Sequence, residues 1–181
     1  MGRIRTPERV KFFCGVLHAD GEDWPALRDA LSGRFGELES CSGAIPFEFT
    51  DYYRQELGEH VWRRFVALRE LGDPARLADL KLGANRLEGE LAAASLTGLP
   101  RPVNLDPGYL ESSKLVLAST KNFAHRVYLR DGGWGEVTLC FRGGRWEAFP
   151  WTFADYRSEA YQSYFLGLRE CYRRQLRPGD R

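Results

Sequence analysis

The feature that most constrains the fold is an unbroken apolar run near the N-terminus. Residues Val10 to His18, VKFFCGVLH, are rich in β-branched and aromatic side chains. Such a run predicts a buried strand. A chain of 181 residues, 43% of them hydrophobic, can bury it in a core without disulfides or metal.

Helical and strand patterns alternate after this run. Trp24–Phe35 carries an apolar stripe at helical spacing, and Ala44–Phe49 predicts a second strand. Val61–Leu71 fits a third strand less clearly. A helix from Asp73 to about Ala94 then leads to a strand at Val103–Leu105. This order, β-α-β-β-α-β, is that of a ferredoxin-like unit.

The rest of the chain predicts a helix, a three-stranded meander and a closing helix. These elements are a helix at Tyr109–Ser119, strands at Phe123–Arg130, Glu136–Phe141 and Arg145–Phe149, and a helix at Asp155–Leu176. We therefore expect a single α+β domain over residues 1–181. It has a mostly antiparallel sheet with helices on one face. The basic pair Arg63-Arg64 in the ambiguous segment is compatible with a solvent-facing position.

Composition excludes several classes of protein. The net charge of +1 argues against a dedicated polyanion binder, and no apolar run reaches transmembrane length. The closest cysteines, Cys14 and Cys41, are 27 positions apart, so no zinc motif is present and no metal site is predicted. No cofactor is indicated. We expect a cytoplasmic protein that does not enter membranes.

Two short segments resemble each other. Both PFEFTDY, starting at Pro46, and PWTFADY, starting at Pro150, follow a predicted strand and place Asp where a helix can start. Helix capping by aspartate explains this pattern simply. If both segments lie at one edge of the sheet, they instead frame one pocket.

The segment 104–139 contains NLDPGYL, KLVLASTKN, HRVYL and GEVTL. Together with VKFFCGVLHAD, PFEFTDYY and PWTFADYRSEAYQSYF, it resembles the bacterial and archaeal family catalogued as domain of unknown function 4416. The resemblance covers nearly the whole chain and implies no activity. A GTPase is not indicated, because the phosphate-binding motif GxxxxGK[ST] is missing.

Side chains that bind anions or transfer protons are concentrated between residues 104 and 136. Lysine supplies a point charge and arginine a bidentate fork for a phosphate or carboxylate. The predicted ligand-binding residues are Asn104, Tyr109, Lys114, Lys121, Asn122 and Arg126. The predicted acid–base residues are Asp106, His125 and Glu136. Only four of the 26 basic residues are lysine, so Lys114 and Lys121 are the first to mutate.

Structural roles remain open for these residues. Asp106 suits a turn, His125 a structural hydrogen bond, and Glu136 an exposed strand edge. Alternation along a strand also places His125 and Arg126 on opposite faces.

Three functions are compatible with the sequence. The favoured function is binding of a phosphorylated or nucleotide-like anion by a cytosolic protein. Such a protein is either a binding protein or a small enzyme. The second is an RNA-associated module, since residues 91–181 carry a net charge of +4 and include Trp134, Trp146 and Trp151. The third is a structural or interaction protein without catalysis, for which the tyrosine-rich C-terminal helix offers one surface for a homodimer.

Overall fold

The computed structural model describes residues 2–95 and 97–177 and shows an α+β protein built on one sheet. Within these residues, the strands are β1 Val10–Ala19, β2 Leu38–Cys41, β3 Ile45–Pro46, β4 Val61–Gly72, β5 Val103–Leu110, β6 Lys114–Ser119, β7 Val127–Arg130, β8 Gly133–Arg142 and β9 Arg145–Ala148. The helices are α1 Trp24–Phe35, α2 Arg54–Leu57, α3 Leu77–Ala94 and α4 Glu159–Gln175.

The sheet has the strand order β2-β4-β1-β5-β6-β8-β7, with β3 against β4 and β9 against β8. All of these pairs are antiparallel. β1 lies between β4 and β5, and all ten of its residues are buried. The apolar run therefore forms an interior strand of the sheet, as its composition requires.

Helices cover both faces of this sheet, so the prediction of helices on one face is wrong. Leu27 and Leu31 of α1 pack with Ala84 and Leu87 of α3 against one face, in a cluster that includes Val16. On the opposite face, α4 packs its aromatic side chains against β1, β4 and β6. An interior strand that is apolar on both sides needs cover on both sides.

The predicted helix at Tyr109–Ser119 is also wrong, because this segment forms the end of β5 and the whole of β6. Its apolar residues have a period of two: Leu115 and Leu117 join the core on the α4 face, whereas Val116 and Ala118 pack near α3. Both faces are buried, so the continuous apolar sequence conceals the strand period.

Other elements differ mainly at their ends. The predicted strand at Ala44–Phe49 is only the two residues of β3, and β7 begins at Val127 rather than Phe123. The closing helix begins at Glu159, after a 3-10 turn at Asp155–Arg157. The segments that therefore lie outside these strands and the closing helix, around residues 47–53, 123–126 and 153–157, form loops and short turns at one end of the sheet.

The structure contains no helix within residues 2–95 and 97–177 that is long and apolar enough to cross a bilayer.

Candidate functional site

A cavity of about 690 Å³ lies at the end of the sheet where β5 and β6 separate. These strands pair only between Gly108–Leu110 and Leu115–Leu117. Beyond that pairing, side chains of α3 take the place of a strand beside β5. Lys81 Nζ donates to the Leu105 carbonyl at 2.7 Å, and the Leu105 amide donates to Glu88 Oε1 at 2.7 Å. The N–H and C=O groups of Leu105 are thus paired although no strand lies beside them.

The two similar sequence segments form adjoining walls of this cavity. From the first segment come Phe47, Phe49, Thr50, Tyr52 and Tyr53, and from the second Phe153, Ala154, Asp155 and Tyr156. Phe49 and Tyr161 pack edge to face at 6.1 Å, and Tyr161 packs on Tyr156 at 5.6 Å, which links the walls. The sequence similarity between the segments therefore coincides with a shared aromatic wall. We define this wall as the aromatic lining residues of both segments: Phe47, Phe49, Tyr52, Tyr53, Phe153 and Tyr156.

Arg63 forms the floor of the cavity. Its guanidinium group donates from Nη1 to Asp106 Oδ2 at 3.1 Å and from Nη2 to Asp155 Oδ2 at 3.3 Å. Only 2% of Arg63 is exposed, so the solvent-facing interpretation that the sequence left open for the basic pair does not hold for this residue. Burial lowers the pKa of Arg63, but Asp106, Tyr161, Tyr156 and Asp155 together outweigh this effect, and the net pKa is raised. One buried cation therefore holds two carboxylates in the cavity.

Asp106 and Asp155 share Arg63, but their pKa values shift in opposite directions. Burial opposes the charge of Asp106, yet Arg63 and Lys81 hold the pKa of this carboxyl below its usual value. A hydrogen bond from Asn104 acts in the same direction. At Asp155 burial raises the pKa, and Arg63 offsets this only in part. Two carboxyl groups with diverging pKa values in one cavity can serve as a base and an acid.

Glu136 forms a second buried cluster beside the first. Its Oε2 accepts from Arg126 Nε at 2.7 Å and lies 3.0 Å from His125 Nε2. Arg126 Nη1 also donates to the Lys121 carbonyl at 3.0 Å. Both His125 and Arg126 reach the same carboxylate because they precede β7, so strand alternation does not separate them. His125 stacks on Trp151 at 5.4 Å and lies outside the cavity lining.

The predicted site residues divide into two groups. Asn104, Asp106, Lys121, Arg126 and Glu136 line the cavity. Lys121 is exposed, and its Nζ donates to Tyr52 Oη at 3.3 Å. His125 touches the cavity only through Glu136.

The other three predicted residues lie elsewhere. Lys114 is at the far end of β6 from Lys121, where it pairs with Glu111 at 2.6 Å. Tyr109 packs edge-on against Phe12 at 6.3 Å, in a cluster on the α3 face of the sheet. Asn122 is exposed in the turn after β6, outside the lining.

Several cavity residues were missed by sequence reasoning: Arg63, Lys81, Glu88, Arg101 and Asp155. A signal existed for Arg63, since it alternates with Val61 and Phe65 and so shares their buried face. Lys81 and Glu88 likewise follow the apolar stripe of α3 at helical spacing. Asp155 is the aspartate of the segment PWTFADY, for which helix capping was the simpler interpretation, whereas nothing local distinguishes Arg101.

No group of three or more His, Cys, Asp or Glu side chains within the described residues is placed to hold a metal ion. By its fold and its cavity, the protein is a single-sheet α+β protein with an aromatic-walled cavity and an ionic floor. The sequence model of the family described as Domain of unknown function (DUF4416) matches residues 8–172, and the chain belongs to this family. Searches of curated proteins and of solved structures found no match.

Proposed function

We propose that this protein binds a phosphorylated, nucleotide-like small molecule in the cavity. The observation that carries this proposal is the combination of an aromatic wall and cationic groups in one space of about 690 Å³. Small-molecule sites have volumes of about 300–1,000 Å³ and are typically apolar with a few placed polar groups. The faces of Phe47, Phe153 and their neighbours suit a planar ring.

The phosphate is assigned to Lys121 and Arg126, which we call the cationic edge. Lys121 is exposed and contacts a tyrosine rather than a carboxylate. Arg126 uses Nε and Nη1 within the protein, and Nη2 has no partner in the part of the chain that the structure describes. Ser119 and Thr120, which line the cavity beside Lys121, add hydroxyl donors.

The test is calorimetric titration with AMP, GMP, CMP, UMP and ribose 5-phosphate, each beside its unphosphorylated counterpart. We expect at least one phosphorylated compound to bind, and its counterpart to bind at least tenfold more weakly. Lys121→Ala should weaken binding of the phosphorylated compound by about tenfold, which corresponds to about 1.4 kcal/mol of binding free energy. Increasing salt should weaken it further, since the contact is ionic.

Two matched variants control for non-specific charge effects. Lys114→Ala removes the lysine at the start of β6, at the other end of the strand from Lys121. Arg130→Ala removes an arginine that pairs with Asp79 and Asp131 outside the cavity. Both should bind like the wild type. Absence of binding by all five compounds contradicts the proposal, as does equal loss in Lys121→Ala and Lys114→Ala. Binding of single-stranded RNA but of no mononucleotide favours an RNA-binding surface instead.

We also infer that the first half of the chain is a ferredoxin-like unit. The strand order β5-β1-β4-β2, antiparallel throughout, supports this assignment. In the chain, α1 lies between β1 and β2, and α3 between β4 and β5, as the β-α-β-β-α-β pattern requires.

We propose a cytoplasmic location as well. The four cysteines, Cys14, Cys41, Cys140 and Cys171, are all free thiols. Free thiols are usual in reducing compartments. Fractionation of cells that express the untagged chain tests this location, and recovery from a membrane or secreted fraction contradicts it.

A further inference from the structure

Three polar atoms near the floor of the cavity are buried without a hydrogen-bond partner among residues 2–95 and 97–177. They are Arg63 Nε, Tyr156 Oη and Tyr161 Oη. Arg63 and Tyr156 line the cavity, and each is only 2% exposed. Buried polar groups in folded proteins almost always have partners, so orphaned groups at a cavity indicate that something else supplies the partner.

Asp106 adds a free acceptor to this floor. Arg63 Nη1 and Asn104 Nδ2 both donate to the same oxygen, Oδ2, at 3.1 and 2.9 Å. Oδ1 receives no hydrogen bond from the described part of the chain. The Asp106 side chain is 27% exposed, whereas that of Arg63 beneath it is 3% exposed. The floor thus combines a partly exposed carboxylate with a guanidinium N–H and a phenolic hydroxyl that are buried and unpaired.

The cations around the floor already have partners, Arg63 and Arg101 in carboxylates and Lys81 in the Leu105 carbonyl, which disfavours a second anionic group at this place. Arg63 is already shared by Asp106 and Asp155, and Glu88 lies beside them in the lining. A phosphate or carboxylate here would face like charges. A hydroxyl group fits instead, because it can donate to Asp106 Oδ1 and accept from an N–H or a phenol.

We propose that Asp106, Arg63 and Tyr156 form a subsite for the sugar hydroxyls of the bound phosphorylated ligand. This assignment rests on the proposed function, with the phosphate at the cationic edge and the planar ring on the aromatic wall. The ligand class is then a ribose-containing phosphate, and the vicinal 2′ and 3′ hydroxyls are the groups recognised. Their recognition by the carboxylate separates this class from deoxy compounds and from simple phosphates.

The test compares the tightest-binding ribonucleoside monophosphate of the five-compound titration with its 2′,3′-dideoxy analogue. Wild-type protein should bind the ribose form at least tenfold more tightly. Asp106→Asn should weaken binding of the ribose form at least tenfold and change the affinity for the dideoxy form less than twofold. Tyr156→Phe removes only a hydroxyl and should reduce the same preference about threefold. Glu111→Gln, at the Lys114 pair away from the cavity, should leave the preference unchanged.

The outcomes separate this subsite from the proposed function. Equal binding of the two nucleotides by wild-type protein overturns the subsite and leaves the phosphate site intact. Equal weakening of both nucleotides by Asp106→Asn also overturns it, since that result marks a structural role. If Asp106→Asn does not fold, Tyr156→Phe decides by the same comparison. Failure of all ribonucleotides and of ribose 5-phosphate to bind overturns both proposals.

Discussion

Arg63 depends on the absence of a side chain at Gly15. The two residues are on neighbouring strands, and a Cβ atom at Gly15 would lie 2.8 Å from Arg63 Nη1 and 3.3 Å from the Phe65 ring. Glycine at this position lets the guanidinium group lie close to the backbone of β1. From there it can hold Asp106 and Asp155 together. Removing one member of such a buried ionic cluster leaves the others unpaired.

We therefore expect Gly15→Ala to destabilise the protein by about 1–3 kcal/mol, because the added methyl displaces Arg63 or shifts a packed strand. Urea unfolding measures this change. Gly33→Ala is the matched control, since a Cβ at Gly33 in α1 meets nothing within 4 Å. That change should stabilise the protein by about 0.5–1 kcal/mol through helix propensity. A Gly15→Ala protein as stable as the wild type contradicts the close contact.

At the scale of elements, α3 completes the sheet with side chains rather than backbone. Every buried N–H and C=O group of a strand needs a partner, and Leu105 of β5 finds its own in Glu88 and Lys81. Because side chains of α3 take the place of a strand here, β5 and β6 stay apart, and the cavity lies between them. Arg101 supports the arrangement by donating to Glu88 at 2.7 Å. The helix thus pairs the backbone of Leu105 at the point where the sheet is open.

Lys81→Met tests this role of α3. The methionine keeps the apolar length but leaves the buried Leu105 carbonyl unpaired, so we expect a loss of about 1–3 kcal/mol in the free energy of unfolding. Arg86→Met is the control, because Arg86 is exposed on the same helix and its replacement should change stability by less than about 0.5 kcal/mol. Equal urea midpoints for the two variants would contradict the proposed support of β5.

At the scale of the whole molecule, α4 ties the sheet to the cavity. Phe165 of α4 packs against Phe13 of β1 at 5.0 Å and Phe65 of β4 at 4.9 Å. The same ring stacks on Tyr156 of the cavity wall at 5.8 Å. The tyrosine face of α4, including Tyr161, is used in this packing and is buried within the chain. One aromatic cluster therefore holds two sheet strands and one wall of the site.

Phe165→Ala should cost about 3–5 kcal/mol, the usual range for deleting a buried aromatic ring. It should also loosen the Tyr156 wall, so ligand affinity falls in variants that remain folded. Thermal and urea unfolding measure the first effect, and calorimetric titration the second. Leu166→Ala, at the neighbouring exposed position, should change neither quantity appreciably. Comparable losses in the two variants would show that Phe165 has no special place in the core.

The predictability of the elements depended on how clearly the sequence separates the strand and helix periods. Trp24–Phe35 was predicted with its observed bounds, because its apolar stripe has clear helical spacing and Gly36 ends the helix. The β5–β6 hairpin was mistaken for a helix, because its strands are buried on both faces and show no alternation of polar and apolar residues. The two-residue β3 has too few residues to show any period.

The site was predictable only in part, for a similar reason. Residues near one another in the sequence, such as Lys121, Arg126 and Glu136, were identified together and do line one cavity. Lys114 and Lys121 were paired by sequence proximity, yet β6 places them at opposite ends of a strand. For Arg63 the sequence leaves solvent exposure open, since arginine is usually exposed, although its alternation with Phe65 places it on a buried face.

The sequence by itself determined the α+β class, the family, the buried strand near the N-terminus and the polar character of residues 104–136. These properties follow from composition and from patterns within a few positions along the chain. Only the tertiary structure decided which polar groups meet. Arg63 is 43 positions from Asp106 and 92 from Asp155, so their contact depends on strand order and on the register between β4, β1 and β5. Local patterns do not encode that register, because it is set by packing between segments that are distant along the chain.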